Sequence, residues 1–127
     1  MATPFGTAVS QGGTGATRPA RTFYRVTKTN PPTDKDYVTR FERLGEPPAD
    51  LPADVKRSWY AFSAFDSVEG AREQALQVRG IGRYIFRYDI PEGCGVTWEQ
   101  TLGPGHYDLR GDKEVLKRCL TGFVSDV

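Results

Sequence analysis

The spacing of apolar positions along the chain changes period several times, and each change predicts an element. Phe23, Tyr24 and Val26 stand among Thr22, Arg25 and Thr27, an aromatic and β-branched composition that predicts a strand over residues 22–27. Asn30-Pro31-Pro32 stops it, and Thr33 is placed to cap a helix in which Tyr37, Phe41 and Leu44 recur at i, i+4 and i+7 as one stripe. A turn-rich connection over 46–52 leads to a short helix over 53–59 and a second strand over 60–65. Asp66-Ser67-Val68-Glu69 reads as a D-x-x-E variant of the capping box, each end residue satisfying an orphan amide of the first turn. Val68, Ala71, Ala75, Leu76 and Val78 then predict the apolar face of a helix that Gly80-Ile81-Gly82 closes.

Residues 83–90 alternate, with Tyr84, Phe86 and Tyr88 on one side and Ile85, Arg87 and Asp89 on the other, so they predict a third strand ended by Pro91-Glu92-Gly93. Residues 96–102 and 106–109 flank Gly103-Pro104-Gly105 and predict a hairpin. Asp112 caps a short helix carrying Val115, Leu116, Cys119 and Leu120; Gly122 breaks it, and residues 123–127 form a last strand. Strands cluster rather than alternate with helices. The expected fold is therefore α+β, a small mixed, largely antiparallel and split sheet with two to four helices, in one domain over residues 21–127.

Residues 1–20 break from this pattern. They are rich in Gly, Ala, Thr, Ser and Gln, with Phe5 as the one aromatic and Arg18 as the one charge. Such a segment buries too little apolar surface to offset its ordering entropy, which predicts a flexible arm. The arm is either a spacer or a peptide that docks on a larger protein assembly through Phe5.

Composition narrows the function classes. Seventeen basic and sixteen acidic residues give a net charge of +1, which argues against nucleic-acid binding by bulk charge. Cys94 and Cys119 are far apart and read as two reduced thiols, and with one histidine and no C-x-x-C or H-x-x-x-H spacing no metal site is expected. No apolar run approaches the roughly 20 residues that span a bilayer, and Met1-Ala2-Thr3-Pro4 lacks the charged start of a secretion leader. The expectation is a soluble, cytoplasmic protein.

Phosphate-binding loops, nucleophile elbows and dinucleotide fingerprints are absent from the sequence, and Gly80-Ile81-Gly82 follows a helix rather than a strand. Arg25, between aromatic neighbours, is either a solvent-facing arginine of an edge strand or a guanidinium clamp for an anion. His106, beside a Gly-Pro-Gly turn, is either a hydrogen-bonded structural residue or a proton-transfer group. Glu99 and Asp108 fall on the two hairpin strands, and Trp59 and Tyr60 are either core aromatics or a stacking platform for a planar ring.

Three segments, taken in order, resemble the ADP-ribosyltransferase fold and its RES-type toxin relatives. Phe23-Tyr24-Arg25-Val26 is similar to the first strand that carries the phosphate-holding arginine. The stretch from Phe62 to Ala71 is similar to the strand that bears a serine motif and runs into a helix, with Ser63 in the serine slot. The segment from Tyr84 to Pro91 looks like the third, alternating strand. The resemblance implies a domain that binds NAD or a related nucleotide and transfers ADP-ribose or cleaves NAD, and it admits a role in a toxin–antitoxin pair. Arg25 would grip phosphate, Ser63 would order the pocket, and Tyr60 or Tyr107 would stack on a ring. The family's glutamate position is occupied here by Gly105-His106-Tyr107-Asp108-Leu109, so the implied acid is Glu99, one strand earlier, with His106 as a second catalytic candidate. The alternative reading is a non-catalytic interaction protein whose arm docks on a partner.

Overall fold

The structure, a computed structural model, describes residues 20–127. The expected arm over 1–20 lies, but for its last residue, outside the described residues. The domain is α+β. Six strands, β1 (Arg21–Thr27), β2 (Phe62–Phe65), β3 (Tyr84–Ile90), β4 (Thr97–Gln100), β5 (His106–Arg110) and β6 (Leu120–Asp126), form one sheet in the order β4-β5-β2-β1-β3-β6. Every pairing is antiparallel. Four helices, α1 (Arg40–Leu44), α2 (Ala53–Ser58), α3 (Val68–Gln77) and α4 (Lys113–Arg118), and a 3-10 turn over Asp34–Asp36 complete it. None of the helices among the described residues is long and apolar enough to cross a membrane.

The period-2 alternation of the strands sorts the side chains into two cores. On one face Phe23, Phe62, Ala64, Phe86, Tyr88, Ile90 and Leu109 pack with Tyr37, Val96 and, from α4, Leu116. On the other, Phe65 and Ile85 pack with Ala71 of α3, flanked by Tyr24, Val26 and Val68. The sheet is tight between β1 and β3, where seven residues pair in continuous register. Between β1 and β2 it is not. Those strands share the single pair Tyr24–Phe65, and beyond it they diverge and leave a cleft. The split in the sheet is thus located.

Three local expectations change. The stripe Tyr37, Phe41, Leu44 does not lie on one helix. Asp36 turns its carboxylate back onto the Lys28 and Thr33 amides, which closes the 3-10 turn, and Thr39 opens α1 with its own capping box to Glu42. Tyr37 is buried, whereas Phe41 and Leu44 are exposed. In α3 the N-cap is Ser67, whose Oγ accepts from the Gly70 amide at 3.0 Å, rather than Asp66. Its buried face is narrow: Ala71 is sealed, but Leu76 points to solvent at 72% exposure. Lastly, β6 begins at Leu120 and runs through Gly122, which pairs with Arg87. The long free edge of β3 recruits a segment that local spacing assigns to a helix end.

Gly82 returns the chain from α3 to β3. Its φ is +152°, and a Cβ there would lie 2.4 Å from the Thr27 carbonyl oxygen, so the backbone approach that lets the Arg83 amide donate to the same oxygen at 2.9 Å requires glycine.

Candidate functional site

The divergence of β1 from β2 creates a cleft of about 530 Å³, a size typical of ligand sites. One wall is the end of β1 and the segment after it, the other is Ala61 to Ser63 with the β4–β5 turn, and α3 borders it through Glu73 and Gln77. Arg25 lies at its floor. Contrary to the edge-strand reading, β1 is interior to the sheet and Arg25 is only 6% exposed. Its guanidinium carbon sits 5.6 to 5.7 Å from the ring centroids of Tyr37, Phe62 and Tyr88, a cation–π cage. Nε donates to the Ser63 carbonyl across the split at 3.0 Å, and Nη1 is buried with no hydrogen-bond partner. No carboxylate of the described residues forms an ion pair with it. An arginine is charged at every accessible pH, so this is a largely desolvated cation held by rings and one carbonyl. Burial, with the Tyr37 hydroxyl 2.7 Å away, also pushes the Tyr88 phenol above its ordinary range, so Tyr88 stays neutral beside it.

The Ser63 hydroxyl turns to the opposite face of the strand. There the β2–β5 register sets Phe65 against His106 and Ser63 against Asp108, which puts Ser63, His106 and Asp108 on one side. Ser63 Oγ lies 2.7 Å from His106 Nε2. His106 Nδ1 lies 3.1 Å from the Thr101 carbonyl oxygen, which can only accept, and 3.3 Å from the Thr101 hydroxyl; the shorter contact assigns the ring proton to Nδ1. The unprotonated Nε2 then accepts from Ser63 Oγ–H. The ring is further fixed edge-on to Phe65, with centroids 5.2 Å apart.

Asp108, 1% exposed, accepts from Ser58 Oγ at 2.7 Å and from Arg110 at 3.1 Å. Burial holds the His106 pKa below its ordinary value; the Arg40 charge adds to this, while Asp108 and the Thr101 carbonyl oppose it. A histidine whose folded pKa is lowered stabilises the fold above its unfolded pKa, and that contribution is lost as pH falls through the folded value. Urea unfolding between pH 8 and 5 should therefore show wild type losing more stability on acidification than His106→Gln; parallel pH profiles for the two proteins would contradict the burial.

Three of the six residues singled out from sequence line the cleft, Arg25, Ser63 and His106, but Arg25 lies on the Tyr37, Phe62 and Tyr88 side of the sheet and Ser63 with His106 on the Phe65 side. Three do not. Tyr60 is exposed and stacks on Phe41, with its hydroxyl donating to Glu46. Tyr107 points to the other face of β5, against Phe23 and Arg21. Glu99 shares a ladder position with Asp108, but it is held by Arg57 and Arg110 and does not line the cleft. For Tyr107 the reason is parity, since residues next to each other on a strand face opposite ways; Glu99 shares the face of Asp108 but lies on the outermost strand, and Tyr60 precedes β2.

The structure adds residues that spacing does not show. Arg40 and Lys28 bring charge to the cleft wall, and Glu73 of α3 is an exposed carboxylate on it. The Arg-x-x-Arg spacing of Arg40 and Arg43 was the available signal for the first. Among the described residues no cluster of three or more His, Cys, Asp or Glu is placed to hold a metal, and Cys94 and Cys119 are free thiols, burial pushing Cys119 up to about 11. Comparison of the chain with protein-family models, with curated proteins and with solved structures returns no match.

Proposed function

We propose that the cleft binds NAD or a related nucleotide, in the manner of an ADP-ribosyltransferase-like domain. The observation that carries this reading is the Arg25 guanidinium, caged, desolvated and without an anionic partner at the floor of an open cleft. A buried charge costs several kcal/mol unless it is compensated, and a pyrophosphate entering the cleft compensates it. The wall supports the same ligand class. Six cationic side chains line the cleft against the carboxylates of Asp36, Glu73 and Asp108. Asp36 and Asp108 are already engaged by their own neighbours. The surplus is positive.

In this reading Glu73 replaces Glu99 as the carboxylate available to a ribose hydroxyl, because Glu73 borders the cleft and Glu99 does not. Stacking by Tyr60 or Tyr107 drops out of the proposal.

Calorimetric titration of the protein with NAD tests it. Binding is expected, and Arg25→Lys, which keeps the charge but loses the fork, should weaken it about tenfold to a hundredfold, the worth of a charge-assisted hydrogen bond. A melting curve on the same variant separates lost binding from lost fold. Absence of heat at millimolar NAD with the wild-type chain overturns the proposal.

A further inference from the structure

The nucleotide reading uses Arg25 and leaves the pair on the other wall unexplained. Ser63 Oγ and His106 Nε2 are 2.7 Å apart, and the shorter of the two Nδ1 contacts, to the Thr101 carbonyl, gives that bond its polarity. Four conditions of an activated nucleophile are met there together. The hydroxyl is exposed at the cleft, the base has its free lone pair on it, a third group sets the tautomer, and Phe65 with Thr101 immobilises the ring. A structural serine would not need to be exposed, and a structural histidine would not need its acceptor nitrogen turned toward the cleft wall.

From this geometry we infer that Ser63 is a nucleophile with His106 as its general base, and that its substrate is a phosphate ester. The class of electrophile follows from the surroundings. Arg40 acts on His106 through its charge, is fixed over the Trp59 ring at 5.4 Å, and lines the same cleft as Lys28 and Arg25. Cations around a nucleophile suit a transferring phosphoryl group, whose equatorial oxygens carry negative charge through the transition state.

In the step, Ser63 Oγ attacks phosphorus and the Oγ–P bond forms as the P–O bond to the leaving alcohol breaks. The serine proton passes to His106 Nε2, and the departing oxygen, on the far side of phosphorus in an in-line displacement, takes its proton from water. The hydroxide left by that transfer attacks phosphorus from the vacated side, the P–Oγ bond breaks as His106 returns its proton to Ser63 Oγ, and inorganic phosphate is released. No further reactant is required, and the activity stands or falls apart from NAD binding.

An alkyl fluorophosphonate reports this chemistry directly, because Oγ–P forms, P–F breaks and fluoride leaves. With the full chain, peptide mapping by mass spectrometry should place one phosphonyl adduct on Ser63. His106→Gln should slow its formation at least about a hundredfold, the scale of general-base catalysis. Inorganic phosphate should slow it by competing for the cations. The wild-type result needs no variant: an unlabelled Ser63 overturns the proposal. Equal labelling rates in a folded His106→Gln variant remove the base, and indifference to inorganic phosphate removes the substrate class.

Discussion

Phe23→Ala should cost the domain about 3 to 5 kcal/mol, the range for truncating a fully buried phenylalanine. The ring is completely buried on the central strand β1. It touches Trp98 of β4 at 5.8 Å and Tyr107 of β5 at 5.1 Å between centroids, so it ties β1 to two of the three strands at the far side of the split. Because β1 and β2 share one ladder pair, side-chain packing over that gap replaces the hydrogen bonds the backbone does not make. The loss should exceed that of the smaller truncation Ile85→Val in the β1–β3 half, for which about 1 kcal/mol is expected. Urea denaturation of both variants reads this. A Phe23→Ala midpoint as mild as that of Ile85→Val would mean that the two halves of the sheet are held by something other than this aromatic bridge.

The same gap explains what the sequence discloses and what it hides. Strand β3 is legible because Tyr84, Phe86, Tyr88 and Ile90 fall at every second place, and β1 because its aromatic and β-branched residues suit a strand. The hairpin is legible because Gly103-Pro104-Gly105 interrupts two such runs. The broken stripe of Tyr37, Phe41 and Leu44 is not legible, because the competing structure comes from Asp36 folding back on β1, a contact outside the helical repeat. Arg25 illustrates the limit on site residues. Its place in an alternating strand shows which neighbours share its side, but only the order of strands shows that this side is interior and lined by three rings. Ser63 and His106, 43 residues apart, are joined by the β2–β5 register alone. Shifting that register by one residue would turn one of them to the other face. Glu99 failed as a cleft residue for a different cause: it is in register with Asp108 but belongs to the outermost strand.

Asp36→Ala is expected to remove about 3 kcal/mol and to open the cleft wall. The carboxylate is buried and accepts from the Lys28 amide at 2.6 Å, the Thr29 hydroxyl at 2.8 Å and the Thr33 amide at 2.9 Å. Alanine leaves two backbone donors and a hydroxyl without their acceptor, and each unsatisfied group costs about 1 to 3 kcal/mol, less where water reaches it. These bonds fasten the segment after β1, which carries Lys28 and Lys35 on the cleft wall. Asp36→Asn keeps one acceptor oxygen and the side-chain shape, so its loss should be roughly half as large. Hydrogen exchange should localise the damage, with the amides of Lys28 and Thr33 losing protection in both variants while those of β3 keep theirs. If Asp36→Ala melts like wild type, the carboxylate is not what anchors this wall, and the cations it carries have no fixed position from which to meet a phosphate.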